Sequence, residues 1–437
     1  MSDQRPERPS EVVELRGHVI DSRLLGQVLD EVMERGADYE IVRFDVGKRH
    51  EDPSYVALRV EVDEPEELVA LLERLQSYGA NPATDEDATL LAIERDGVLP
   101  EGFYSTTNLP TRIRIERRWV DVANPEMDCA VVYDPQTSTA RTVPMDDTRV
   151  GMQVVAGVGG VRVTPRQKPR VDDSGTTFEF MTSEISSEKP QVLLVERVAQ
   201  GMRDAKVAGQ KVLWVAGPAL VHTGSVEPTC ALIRAGYMDV LFAGNALATH
   251  DIEGNLFGTS LGVSLSHGIP TEHGHEHHVR AINRIRQCGS IQAAVDNGTL
   301  TGGIMWHVVT YGVDYVLAAS VRDDGPLPEV IRDVIAAQGE MRKRIPEVGF
   351  ALMVATLLHS VATGNMLPAH VPLVCVDINP ASVTKLVDRG SVQSAGIVTD
   401  VGLFLLQLAH RLAPDELADL RADTATFEPG TTEAAEG

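Results

Sequence analysis

The four cysteines, Cys129, Cys230, Cys288 and Cys375, include no Cys-x-x-Cys pair. Their spacing excludes a zinc ribbon and offers no disulfide framework, so the reduced thiols of a cytoplasmic protein are expected. No apolar core follows the polar leader MSDQRPERPSE, and no uninterrupted apolar run reaches bilayer length. Neither secretion nor membrane insertion is expected. Basic residues are in deficit: 39 lysines and arginines face 63 acids, a net charge of −24. Such a chain repels nucleic acid and anionic membranes, which leaves a small molecule, or a second copy in a homo-oligomer, as the expected partner. The Gly-x-Gly-x-x-Gly signature of ordinary dinucleotide folds is missing too. What is present is ordinary globular material: 437 residues, 43% hydrophobic and 23% charged, enough for two or three domains.

Residues 1–11 read as a disordered leader. In residues 12–99, VVELRGHVI alternates as a strand, and SRLLGQVLDEVMERG repeats apolar residues at helical spacing until Gly36. YEIVRFDVG and SYVALRVEVD are two more strands, and EPEELVALLERLQSYGA is a second helix. The order β-α-β-β-α, closed by ATLLAIE as a fourth strand, predicts a ferredoxin-like α+β unit. Residues 100–190 lose helical periodicity; RIRIERRWVDV, CAVVYD, TARTVPM and GVRVTP lie between turn residues and predict a β-rich region. Residues 191–412 alternate near-continuous apolar strands with helices, the pattern of an α/β domain with a doubly wound, mostly parallel sheet. Residues 413–437 form an acidic tail, expected to be largely disordered.

Open parallel sheets bind ligands at the carboxyl ends of their strands. There GPALVHTG, GNALA and ATGNML offer glycine and small residues that let a pyrophosphate approach the backbone. Asp377 closes the apolar strand of VCVDIN, where an acid accepts both ribose hydroxyls. Together these predict a dinucleotide, and the Asp377 charge favours NAD over its 2′-phosphorylated form. Without the glycine fingerprint the same stretches also read as plain strand-to-helix turns.

The segment HGIPTEHGHEHH packs five histidines into twelve residues. Imidazole is the commonest zinc ligand, so metal is the first thought. The steps between His273, His275, His277 and His278 are two, two and one, which match no standard helical ligand motif. A loop that gathered them with Glu272 and Glu276 would still make a site.

Several longer stretches resemble one family: EGFYSTTNLPTRIRIERRWVDVANPEMDC, FEFMTSEISSEKP, GNALATHDIEGNLFGTSLG, HGHEHHVRAINRIRQCGSI and SVRDDGPLPEV. That family is the conserved region of lysine-oxoglutarate reductase/saccharopine dehydrogenase (LOR/SDH). It includes archaeal-type ornithine cyclodeaminases and the C-terminal part of cyanobacterial arginine-degrading enzymes. The resemblance runs from about Val12 to Arg411. It implies a C-terminal domain like the NAD-binding fold of deoxyhypusine synthase. It also implies cofactor contacts at Asn245, Ala246, Thr363, Gly364, Asn365, Met366, Leu367, Asp377 and Asp400. By the same resemblance the histidine segment belongs to an active-site wall rather than a metal site, with His277 or His278 handling protons. No N-terminal arginine-hydrolysing domain is visible, so arginine is not the expected substrate.

The activity so implied is NAD-dependent conversion of ornithine to proline and ammonia, which needs a carboxylate clamp, a desolvated amine and a proton shuttle. Arg112 follows the polar loop that carries Tyr104 and Asn108, and is the candidate clamp unless it is a plain surface arginine. Asp323 and Asp324 of VRDDGP are candidates to hold a substrate ammonium, or else cap the helix that follows. Cys129 lacks a paired histidine and reads as a buried structural thiol. Two other classes stay open: a saccharopine-type or cyclic-imine oxidoreductase with net NADH turnover, and a non-catalytic amino-acid sensor.

Overall fold

Apolar residues alternate along the first strands, and the first sheet follows from that period of two. The structure is a computed structural model, which describes residues 8–20, 24–49, 52–164, 191–261, 263–264, 276–321, 323, 325–388 and 394–426. It divides into two compact units, Met1–Glu179 with Asn365–His370, and Phe180–Gly364 with Val371–Gly437. The first unit opens with β1 (Ser10–Gly17), α1 (Leu24–Glu34), β2 (Asp38–Asp45), β3 (Ser54–Glu61), α2 (Pro65–Ser77) and β4 (Asn81–Pro82). The sheet order β2-β3-β1-β4 is the ferredoxin-like one. Val13 and Leu15 of β1 and Val56, Leu58 and Val60 of β3 are fully buried, and they share a core with Val28, Val32 and Leu75 of the two helices.

The fourth strand is a correction. Asn81 and Pro82 pair with Glu14 and Val13 and close the sheet, and ATLLAIE does not. A two-residue strand with a proline has no alternation to read, and its edge position tolerates the missing N–H. ATLLAIE instead supplies β5 (Thr89–Ala92) to a second sheet with β6 (Thr111–Ile115), β7 (Arg118–Ala123), β8 (Ala130–Asp134), β9 (Thr139–Val143), β10 (Gln153–Ala156) and β11 (Val161–Val163). Its order is β11-β6-β7-β9-β8-β10-β5, the β-rich region expected there.

The second unit begins with α3 (Gln191–Val207), β12 (Lys211–Ala216), α4 (Ala219–His222), α5 (Val226–Arg234), β13 (Val240–Gly244) and α6 (Asn245–Phe257). A small hairpin, β14 (Thr259–Ser260) and β15 (Val263–Ser264), precedes α7 (His277–Cys288), α8 (Ile291–Asp296), α9 (Gly303–Thr310) and β16 (Asp314–Ala318). Then come α10 (Val334–Arg342), β17 (Val348–Val354), α11 (Leu358–Met366), β18 (Leu373–Asp377), α12 (Pro380–Asp388) and β19 (Ser394–Val398). The helices α13 (Val401–Leu412) and α14 (Pro414–Thr426) follow. Over Pro414–Thr426 the expected disordered tail is a helix: Ala413 and Leu417 are buried, and Arg421 pairs with Glu227 of α5, while residues 427–437 lie outside the described residues.

Six strands form one parallel sheet in the order β16-β13-β12-β17-β18-β19. Numbered from β12, that is 3-2-1-4-5-6, the doubly wound order of dinucleotide-binding folds. Helices cover both faces, so Val212, Leu213, Trp214 and Val215 are all fully buried and the run reads as continuous apolar sequence. The Trp214 indole N–H is satisfied by the Tyr237 carbonyl at 2.8 Å. Among the described residues, no helix is long and apolar enough to cross a membrane.

Candidate functional site

The strand order reverses between β12 and β17, and such a switch point opens a crevice at the carboxyl ends of the strands. Two turns meet there. Gly217, just past β12, donates its N–H to the Val354 carbonyl at 2.9 Å. A Cβ on Gly217 would stand 2.0 Å from the Ala355 carbonyl oxygen, so only glycine fits. Ala355, just past β17, holds a left-handed φ of 52° without being glycine. One glycine and one strained alanine thus bring bare backbone to the crevice without a glycine-rich loop. His359, in the first turn of α11, leans over the end of β13, with its Nε2 3.5 Å from where a Gly244 Cβ would be. Burial lowers its pKa, so the ring is neutral at pH 7.

Beside these strand ends runs a line of polar groups that the sequence did not single out. α6 buries His250, Asp251 and Glu253, and Glu253 is wholly inaccessible. One carboxylate oxygen of Glu253 accepts the Thr259 hydroxyl at 2.9 Å. The other meets His250 Nδ1 at 3.1 Å and accepts the Leu261 N–H at 3.2 Å. Thr259 Oγ1 lies 2.8 Å from His277 Nδ1, whose ring stacks on Phe257. The His222 and His250 ring centroids are 5.3 Å apart, and Ser260 Oγ holds His222 Nδ1 at 2.8 Å. Burial, and then the neighbouring His250, lower the His222 pKa. Imidazole nitrogens joined through hydroxyls and a carboxylate in this way make a path along which a proton can be passed. In the sequence the line shows only as NALATHDIEGNLF, a helix without an apolar stripe, which gives no sign that His250, Asp251 and Glu253 are buried.

The structure sorts the expected site residues. His277 joins the line through Thr259. His278 is half-buried in the same turn of α7, while His267, His273 and His275 lie outside the described residues. Asn245 and Ala246 start α6 at the end of β13, and Asn245 Oδ1 accepts the Leu327 N–H at 3.0 Å. Asp377 ends β18, half-buried, with Oδ1 accepting the Asn379 N–H at 2.8 Å. Asp400 is the exposed N-cap of α13, bound to the Leu403 N–H at 2.8 Å.

ATGNML is not a loop at a strand end, which is a second correction. Thr363, Gly364, Asn365 and Met366 lie in the last turns of α11, where backbone N–H groups are committed to the helix. The turn after β17 is instead Ala355–Leu357, whose left-handed residue is not a glycine. Gly364 gives α12 room, with Leu386 Cδ1 3.4 Å from its would-be Cβ. The buried Thr363 hydroxyl has no hydrogen-bond partner. Asn365, Met366 and Leu367 belong to the first unit, where the Asn365 and Leu367 carbonyls accept the Met127 N–H at 2.9 Å and the Asn108 amide at 3.2 Å.

The polar loop of the first unit is spent on internal bonds: Thr106 bridges the Glu126 carbonyl and the Cys129 N–H. Cys129 is buried, as expected of a structural thiol. Tyr104 is buried in the core, its hydroxyl pKa raised by desolvation. Arg112 does not join Tyr104 and Asn108. It alternates with buried Thr111 and Ile113, so it faces out, and it pairs with exposed Asp121. Asp323 accepts the Ser320 N–H at 2.9 Å in a local turn and, among the described residues, caps no helix; Asp324 lies outside the described residues.

Three family matches tile the chain. Residues 10–109 match the LOR/SDH bifunctional enzyme conserved region. Residues 110–195 match the first region of the arginine dihydrolase ArgZ-like C-terminal part, and residues 196–408 its Rossmann fold. An ornithine cyclodeaminase of Methanothermobacter thermautotrophicus is 50% identical over 92% of this chain and 97% of its own. The crystal structure of a LOR/SDH protein of Methanococcus maripaludis is 46% identical, covers 75% of this chain and 98% of its own, and superimposes with a TM-score of 0.69. AgrE, crystallised as a ternary complex with ornithine and NAD+, is 39% identical over 94% of this chain, with a TM-score of 0.50. This chain spans 59% of AgrE. The chain belongs to the LOR/SDH conserved-region family, which unites archaeal ornithine cyclodeaminases with the C-terminal part of ArgZ-like arginine dihydrolases.

Proposed function

We propose that the chain is an NAD-dependent ornithine cyclodeaminase, converting L-ornithine to L-proline and ammonia. The observation that carries this reading is the line of imidazoles and one carboxylate beside the ends of a 3-2-1-4-5-6 sheet. The relatives support the substrate: one at 50% identity is an ornithine cyclodeaminase, and AgrE holds ornithine together with NAD+.

The residues present suit NAD. The close approach of Gly217 and Ala355 leaves backbone for a pyrophosphate, the partnerless Thr363 hydroxyl offers a donor, and Asp377 an acceptor for ribose. NAD, when bound, supplies a reversible hydride acceptor for the substrate α-carbon. The chain's own part is to hold the cofactor, exclude water and move protons. Both ornithine amines are ammonium ions in neutral water, and each must shed a proton before it takes part; the departing ammonia must gain one. His222 and His359, kept neutral at pH 7 by burial, are able to accept such protons at an imidazole nitrogen.

Ornithine stands at the oxidation level of proline plus ammonia, so the cofactor ends as it began. Substoichiometric NAD+ should therefore support many turnovers without accumulation of NADH, and ornithine deuterated at the α-carbon should keep its label in proline. Stoichiometric NADH would instead mark a dehydrogenase, the saccharopine-type alternative. Asp377→Ala should weaken NAD binding about ten- to a hundredfold in isothermal titration, the cost of one charged hydrogen-bond partner. Unaltered affinity in the folded variant would move the ribose elsewhere.

A further inference from the structure

We propose that Glu253 is a positioning residue that fixes the tautomers of two imidazoles, His250 directly and His277 through Thr259, so that each carries its proton on Nδ1 and presents a bare Nε2. The argument is one of donor counting. An ionised carboxylate only accepts, and a threonine hydroxyl has one proton. Glu253 Oε1 takes the Thr259 proton at 2.9 Å, so at its 2.8 Å contact with His277 the hydroxyl must accept, and His277 Nδ1 must carry the hydrogen. Glu253 Oε2 takes the Leu261 N–H, and so also accepts from His250 Nδ1. In a neutral imidazole one nitrogen donates and the other accepts, so both Nε2 atoms are left as proton acceptors.

Two features say that this arrangement is built. Glu253 is wholly inaccessible, in a helix that buries five polar side chains, Asn245, Thr249, His250, Asp251 and Glu253. Acceptor contacts on its two oxygens come from separate places, among them α6 itself, the strand Thr259–Ser260 and the backbone of Leu261. Hydrogen bonds of this kind favour the charged carboxylate and offset the cost of burying it.

The test uses full-length protein labelled with ¹⁵N in its histidines, with signals assigned by His250→Gln and His277→Gln variants. Two-bond ¹H–¹⁵N spectra of the wild type are expected to show the Nδ1–H form at both rings. Glu253→Gln then gives an asymmetric result. The Leu261 N–H is a fixed donor, so the new amide turns its oxygen there and its NH₂ toward Thr259. Thr259 must now donate to His277, whose proton moves to Nε2, while His250 keeps its form. Thr259→Val should release His277 alone, and Thr259→Ser should restore it.

The role in turnover rests on the cyclodeaminase reading; the tautomers do not. In Glu253→Gln, kcat for ornithine should fall about 100-fold or more with KM within about threefold, since ground-state binding is untouched. An Nε2–H ring at either position in the wild type, an unaltered His277 in both variants, or full kcat in Glu253→Gln would overturn the proposal. The expected tautomers in a wild type that turns over no ornithine would support it and sink the functional reading instead.

Discussion

A Gly217→Ala chain is expected to lose about 3–6 kcal/mol of stability, the sum of an overpacked contact and a broken buried backbone bond. The new Cβ would sit 2.0 Å from the Ala355 carbonyl oxygen, 2.8 Å from its carbon and 3.1 Å from Thr356 Cβ. The first two are backbone atoms, which no rotamer change moves aside. Relief requires the ends of β12 and β17 to part, and that breaks the 2.9 Å bond from the Gly217 N–H to Val354. Gly209 is the internal control. Its φ is +70° but no atom lies within 4 Å of its would-be Cβ, so Gly209→Ala should cost only the left-handed penalty of about 1–2 kcal/mol.

Urea denaturation of both variants separates these outcomes. If Gly217→Ala unfolds within about 1 kcal/mol of the wild type, the two turns are looser than the geometry requires. Its folded fraction should also bind NAD at least about tenfold more weakly, because the crevice exists only while the turns stay close. Wild-type NAD affinity in that fraction would remove the switch point as the cofactor site.

The strands of the second unit were legible because burial on both faces makes each a run of apolar residues, as in KVLWVA and VLFAG. The ferredoxin-like order was legible for the same local reason. What failed was whatever depends on a long-range partner. Asn81–Pro82 becomes a strand only because β1 lies beside it, and Thr89–Ala92 changes sheets because β10 claims it. ATGNML carries turn-forming residues, yet α11 runs through them, and the real turn uses an alanine at φ 52° that no sequence rule marks. The polar line is hidden in the sequence for a related reason. His222, Glu253 and Thr259 meet through folding, while the histidine cluster, conspicuous in composition, contributes His277. Arg112 adjoins the polar loop in sequence, but strand alternation turns it outward.

Asp251 carries the last large effect. It lies two residues before Glu253 and points elsewhere: its two oxygens accept the N–H groups of Ile304 and Met305, each at 2.7 Å, and so cap the first turn of α9 inside the core. Gly303 makes room for it, at φ +88°, since a Cβ there would stand 2.8 Å from both carboxylate oxygens. Asp251→Ala leaves two buried donors unpaired and should cost about 3–5 kcal/mol. The pH dependence is sharper. Burial pushes the Asp251 carboxyl up to about 6, against the opposing pull of its two N–H bonds. A folded pKa above the unfolded value of 3.8 means that the folded chain binds the proton more tightly. Stability from this group is therefore greatest below about pH 4, declines as pH rises toward 6, and is flat above. Measured against Asp251→Asn, which does not titrate, the wild type should lose roughly 3 kcal/mol across that window. A relative gain with rising pH would reverse the sign, and would mean that the two N–H bonds of α9 outweigh the desolvation of the carboxylate.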